Sequence, residues 1–262
     1  MRYLFSEPGA VLEKISGSKA CLLMLDFDGT LSPISASSGK AKIHNPAKAA
    51  LLELVKRKAV ALAIISGRSL KDIKAKVGIK GLIYAGNHGL EWQIGKKISS
   101  VKIPKIYIKA LARIRRELMQ LRRRYKGVFV ENKGMTLSFH YRRVNPGMQE
   151  FVKNQALSIL RLYKEKKVLD AIQSKKTLDI RPGLKWTKGD FALYLAGLFT
   201  KKRAGPLVIY IGDDATDEDA FKALKKDITI RVGKKINSSA KYFIKNSRQT
   251  ASFLATIATL KS

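Results

Sequence analysis

Four nearly continuous apolar runs, residues 20–27, 59–65, 81–85 and 206–211, most constrain what this chain can fold into. A strand with one wet face alternates apolar and polar residues, whereas a run without alternation needs cover on both faces. Between the first two runs Asn45 reads as a helix N-cap with Pro46 at the first helical position, and Ala50, Leu51, Leu54 and Val55 recur at helical spacing. Strand-like and helix-like segments keep alternating, which predicts an α/β fold with a parallel sheet and helices on its faces. Ligands of such sheets bind beyond the carboxyl ends of the strands, so the residues following each run are candidates for chemistry.

The first run ends in Asp26, Phe27, Asp28, Gly29, Thr30. Residues two apart in an extended strand point the same way, so both carboxylates can face one pocket; alone, an Asp-Gly turn explains the segment equally well. Ser66, Gly67 and Arg68 follow the second run, where a hydroxyl, backbone N–H groups and a guanidinium could meet an anion at a helix entrance. Asn87 and His88 follow the third. The fourth leads into Asp213, Asp214, Asp217, Glu218 and Asp219, a dense cluster in a chain with only 20 acidic residues. Charging the first turn of a helix accounts for Glu218 and Asp219 but not for the whole group. Crowded carboxylates repel one another and call for a cation, and their hard oxygens suit Mg²⁺. His44, His88 and His140 lack metal-ligand spacing, and thiolate clusters are excluded because Cys21 is the single cysteine. A phosphoryl group fits such a centre, with Ser66 and a lysine holding its charge; Lys188, just before a helix, is the candidate, although a lone lysine in so basic a chain is by default a solvated charge.

The pattern changes in the middle of the chain. Residues 105–125 read as a basic helix with Ile106, Leu111, Ile114, Leu118 and Leu121 along one face. Residues 128–131 and 136–141 read as a hairpin through Asn132, Lys133 and Gly134, followed by a helix over 147–164 and short strands near 168–172 and 177–180. This predicts three segments: 1–100 as the first part of a core, 101–183 as an inserted α+β lid, and 184–262 as the rest of the core.

With 52 Lys and Arg against 20 Asp and Glu, the formal net charge is +32, and residues 101–185 hold 22 of the bases but 6 of the acids. Such a field gathers anions of any kind. A nucleic-acid partner is disfavoured, because the basic helix lacks the interleaved aromatics that stacking needs and a solvated basic face is the simpler reading. The absence of a signal-peptide pattern, and of any stretch near the ~20 apolar residues of a membrane span, leads to the expectation of a cytoplasmic protein. A monomer is expected.

The order Asp26-Phe27-Asp28-Gly29-Thr30, Ser66-Gly67-Arg68, Asn87-His88-Gly89, Lys188 and Gly212-Asp213-Asp214-Ala215-Thr216-Asp217-Glu218 resembles the haloacid dehalogenase superfamily of phosphatases. Within it the chain is most similar to the trehalose-6-phosphate phosphatase family, on Glu131-Asn132-Lys133, His140-Tyr141-Arg142, and Arg181-Pro182 before Lys188-Gly189. The resemblance implies a Rossmann-like core with an inserted cap and hydrolysis of a sugar phosphate through an aspartyl-phosphate on Asp26. It makes Asp28 the acid and base, Ser66 and Lys188 the phosphoryl-binding pair, and Mg²⁺ the cofactor, held by Asp26, the Asp28 carbonyl and Asp213 with Asp214 or Asp217 close by. It assigns the sugar to Glu131, Lys133, Arg142 and Asp179, the last standing where the family has glutamate, with Arg68, Asn87 and His88 either touching sugar or bracing the core. Sister phosphatases acting on sucrose phosphate or a mannosyl phosphoester share the chemistry and differ in the lid; a relative that keeps the fold without turnover is the other alternative.

Overall fold

The computed structural model describes residues 1–33, 41–174, 176–200 and 205–261. They divide into two compact units: Met1–Ser100 with Trp186–Ser262, and Val101–Lys185.

In the first unit nine strands among the described residues form one sheet. Its centre is β2 (Cys21–Leu25), flanked by β3 (Val60–Ile65) and then β4 (Ile83–Gly86) on one side, and by β11 (Leu207–Gly212), β12 (Ile228–Val232), β13 (Tyr242–Ile244) and β1 (Arg2–Tyr3) on the other. All of these pairings are parallel. β5 (Glu91–Ile94) and β6 (Lys97–Ser100) extend the β4 edge antiparallel. Every residue of β2 is buried, as its unbroken apolar run requires. The helices α1 (Gly9–Gly17), α2 (Asn45–Leu54), α3 (Leu70–Val77), α6 (Lys188–Thr200), α7 (Asp217–Ala223) and α8 (Ser247–Leu260) complete the unit; α2 packs on α8 and α6 on α7. The chain leaves β2 towards β3 on one side and returns through β11 on the other, so β2 and β11 bound the switch point where α/β sheets open a crevice.

One local expectation changes. Asn45 is the first helical residue of α2 rather than its cap; His44 precedes the helix and makes no side-chain cap. The hydroxyl capping α3 belongs to Ser69, which accepts from Asp72 N.

In the second unit β7 (Phe129–Asn132), β8 (Leu137–His140), β10 (Thr177–Pro182) and β9 (Leu169–Ser174) form an antiparallel sheet in that order, with helices α4 (Lys105–Arg124) and α5 (Gln149–Glu165). Leu111, Ile114, Leu118 and Leu121 of α4 join Val152, Ala156 and Leu160 of α5 and Val130, Phe139, Leu178 and Ile180 of the strands in one core. Ile106 is exposed, contrary to the expected stripe. The five-residue step from Ile106 to Leu111 rotates it off the face that Ala110, four before Ile114, occupies instead. Alternation in the strands turns Glu131, Ser138, His140, Thr177 and Asp179 to the face opposite that core.

Candidate active site

Asp26 follows β2 and Asp213 follows β11, whose pairing brings Leu25 opposite Ile211. The Asp26 N–H donates to Ile211 O at 2.9 Å, so the two acids leave adjacent strands at one edge. Between them the chain must turn sharply. Gly29 has φ of +86°, and a Cβ there would stand 2.1 Å from Asp213 Oδ2, so only glycine lets the turn pass beneath that carboxylate.

Lys188, at the start of α6, is buried and spans two acids: Nζ donates to Asp26 Oδ1 at 2.7 Å and to Asp217 Oδ1 at 2.8 Å. Asp217 is fully used. Its Oδ1 also accepts from the Tyr210 hydroxyl at 2.8 Å, and its Oδ2 accepts from the N–H groups of Asp213 at 3.0 Å and Asp214 at 2.9 Å. Asp217 therefore orients the centre. Asp214 lies exposed and accepts from Ala215 N at 2.7 Å, outside the crowd. Glu218 does more than charge a helix turn, the role its position in the sequence suggests: it accepts from Arg231 Nη1 at 2.8 Å and from Ser239 N at 2.8 Å.

The electrostatics follow from this crowding. Burial pushes the Asp26 carboxyl well above the usual carboxylate range; Lys188 opposes the shift, and Asp217 and Asp213 add to it. Asp213 is raised to about 7, first by burial and then by Asp217 and Asp214. Burial works against the Lys188 charge, but Asp217 and Asp26 outweigh it and hold the ammonium above its ordinary value. The residues fit a divalent cation: carboxylate oxygens of Asp26, Asp213 and Asp217 lie within 4.8 Å of one another, and while those of Asp217 are taken up by hydrogen bonds, Asp213 Oδ1 is buried without a hydrogen-bond partner among the described residues. All-oxygen donors are the set Mg²⁺ prefers.

Ser66 follows β3, the neighbour of β2, and is buried; its Oγ accepts from Arg68 N at 3.2 Å. Arg68 turns its guanidinium onto Asp28, Nε to Oδ2 at 2.7 Å and Nη2 to Oδ1 at 2.6 Å, while Nη1 reaches Asp72 Oδ2 at 2.8 Å. The Ser66–Arg68 and Asn87–His88 turns are zipped together, Asn87 N to Arg68 O at 2.7 Å and His88 N to Ser66 O at 2.9 Å. Asn87 is fully buried and donates its amide to Glu91 Oε1 at 2.7 Å, which also caps α3 through Leu70 N at 2.8 Å. Asn87 thus braces the turn. His88 adopts φ of 61° and lies over Gly67, where a Cβ would meet its ring at 2.6 Å.

In the second unit the sheet face opposite the core carries a polar network. Asp179 Oδ1 accepts from Ser138 Oγ and, at 3.4 Å, from Lys133 Nζ. His140 sits between Glu131 Oε2 and Thr177 Oγ1, at 3.1 Å from each. Arg142 is exposed on the segment after β8. Sequence reasoning brought out Glu131, Lys133, Arg142 and Asp179 but not Ser138 or Thr177, and in the first unit it missed Tyr210, Glu91 and Arg231. Tyr210 left one signal, a hydroxyl inside an otherwise apolar run.

The trehalose-phosphatase family model matches residues 24–254. A probable trehalose-phosphate phosphatase 4 of Oryza sativa subsp. japonica is 31% identical over 80% of this chain and 57% of its own length. The trehalose-phosphate phosphatase of Mycobacterium marinum is 34% identical over 77% of this chain and 51% of its own. The chain therefore spans somewhat over half the length of these relatives. Among solved structures, the C-terminal domain of trehalose-6-phosphate phosphatase from C. albicans shares the fold, with a TM-score of 0.86 and 21% identity over 99% of both chains. With an acid-lined switch point in a parallel sheet of the haloacid dehalogenase kind, and a family match reaching from β2 into α8, this chain belongs to the trehalose-phosphatase family.

Proposed function

We propose that the chain is a Mg²⁺-dependent phosphatase that hydrolyses trehalose 6-phosphate to trehalose and phosphate. The observation that carries this reading is the buried Lys188 bridge between Asp26 and Asp217 beside Asp213, within a trehalose-phosphatase family match. Asp26 attacks phosphorus with one carboxylate oxygen while Lys188 holds the other at 2.7 Å and steadies the phosphoryl charge together with Ser66. Asp28 gives a proton to the departing sugar oxygen, then takes one from the water that cleaves the aspartyl-phosphate. Arg68 holds both oxygens of the ionised Asp28 carboxylate, the form that takes a proton from water; to give a proton in the first step Asp28 must be protonated, with one oxygen released from that pair. Asp26, Asp213 and the Asp28 carbonyl hold Mg²⁺, which when bound supplies the positive charge that keeps the crowded acids ionised and neutralises phosphoryl oxygens. Asp217 serves that centre by fixing Lys188 and the Asp213 peptide.

We assign sugar recognition to Glu131, Lys133, Arg142 and Asp179 of the second unit, read as a substrate cap, with Ser138 and His140 fixing two of these carboxylates from behind. Asp28 and His88 line the reaction centre in this reading, and Asn87 supports them. The same reading has the protein act in the cytoplasm as a monomer, without nucleic acid; no helix among the described residues is long and apolar enough to cross a membrane.

The test is hydrolysis of a panel of sugar phosphates by purified protein with Mg²⁺, with Asp26→Asn as the control. Preference for trehalose 6-phosphate, abolished in the folded control, is expected. Preference for sucrose phosphate or a mannosyl phosphoester would move the substrate assignment while keeping the chemistry; activity retained by Asp26→Asn would remove the nucleophile.

A further inference from the structure

Arg231, next to last in β12, has a buried side chain, and its partners are unusual for a basic residue in so basic a chain. Nη2 donates to the carbonyl of Asp213, and Nη1 donates to the carbonyl of Asp214 at 3.3 Å and to Glu218 Oε1 at 2.8 Å. Glu218 in turn accepts from Ser239 N at 2.8 Å, which ties the guanidinium to the segment between β12 and β13. From the opposite side, Asp217 Oδ2 accepts the N–H groups of the same two residues, Asp213 and Asp214. The acid-bearing loop is thus gripped on both edges of its backbone, carbonyls by Arg231 and amides by Asp217.

We propose that Arg231, anchored by Glu218, is a positioning residue for the divalent-ion site, fixing the Asp213 peptide so that its carboxylate stays beside Asp26. A buried guanidinium is costly unless paired; Nη1 and Nη2 are paired, whereas Nε is buried without a hydrogen-bond partner among the described residues, a cost that an ordinary surface ion pair would not incur. Here the planar fork reaches two carbonyls and a carboxylate at once, a task a lysine ammonium performs poorly because its donors are not set in one plane. Groups that orient metal ligands from behind commonly change affinity about 10- to 100-fold when lost. Asp213 is the ligand with most to lose, since its Oδ1 is buried and no hydrogen bond among the described residues aims that atom.

The inference rests on the metal site assigned above, and its test separates the two. Mg²⁺ binding is measured by isothermal titration calorimetry, without substrate, on the wild-type protein and on Arg231→Met, Arg231→Lys and Glu218→Gln, each checked for folding by circular dichroism. Expected is a loss of affinity of about 10- to 100-fold in Arg231→Met, a smaller loss in Arg231→Lys, and a loss of a few-fold in Glu218→Gln. In turnover the variants raise the Mg²⁺ concentration for half-activity and recover kcat in excess Mg²⁺, with KM for the phosphoester unchanged. A folded Arg231→Met that binds Mg²⁺ as the wild type does would overturn the role of Arg231. Should that variant not fold, unchanged affinity in Glu218→Gln would overturn it equally. A wild-type protein that binds no Mg²⁺ would instead remove the metal site, and this role with it.

Discussion

Arg68 holds both carboxylate oxygens of Asp28, through Nε at 2.7 Å and Nη2 at 2.6 Å. It is itself fixed, by Asp72 at 2.8 Å and by the Phe27 ring, whose centroid lies 5.5 Å from its central carbon. Such a bidentate pair sets orientation as well as attraction. The sequence motif left open a contact between Arg68 and sugar; the geometry aims its fork at Asp28, two residues past Asp26.

Arg68→Lys should therefore lower kcat by about 10-fold or more while changing KM little, because the lost interaction serves the reacting proton and not uniform substrate binding. Steady-state kinetics on the preferred sugar phosphate decide it. A rise in KM at constant kcat would return Arg68 to the sugar.

Lys188 stands between two buried acids, so its loss strands their charge. Lys188→Met should destabilise the metal-free protein by about 3–5 kcal/mol, the range for breaking a buried pair from one side. The double variant Lys188→Met with Asp217→Asn should be less destabilised than the single, since one of the stranded acids is gone. Urea denaturation of the three proteins checks this; additive losses would mean that the bridge is not energetically coupled.

Asp213 gives a pH dependence of definite sign. Its carboxyl is raised from an ordinary 3.8 to about 7, so between these values the folded protein holds a proton that the unfolded chain has released. Stability of the metal-free protein should fall as pH rises from about 4 through 7, and Asp26, raised by burial, acts in the same direction. Mg²⁺ held as proposed would compete with those protons. Its stabilising increment in thermal unfolding should be large at pH 7.5 and small at pH 5, compared against chelator at each pH; an equal increment at both would dissociate the ion from these acids.

How much of this was legible in the sequence depended on contrast. The covered strands around β2 stood out because an unbroken apolar run of strand length fits few places in a fold besides the middle of a sheet, and the acids stood out because the chain has few. β5 and β6 carried no such run, since an antiparallel edge is covered on one side only, and β1, with two residues, is too short for any periodicity. Arg231 was invisible for the opposite reason: among 52 basic residues, one more carries no contrast until folding sets it against two carbonyls. Ser138 meets Asp179 only through the pairing of β8 with β10, and Tyr210 and Glu91 act on Asp217 and Leu70, at the starts of helices that only the fold brings to them. Ile106 failed because a helical stripe tolerates a step of three or four residues and not of five.

The central position of β2 has a consequence for synthesis. Its two neighbours, β3 and β11, lie on opposite sides of it, and the second is encoded some 180 residues downstream of the first acid. During synthesis Asp26 is made well before either Lys188 or Asp213. Throughout that interval one edge of β2 stays open and Asp26 lacks its lysine partner; the strand that closes the edge is also the one that delivers Asp213.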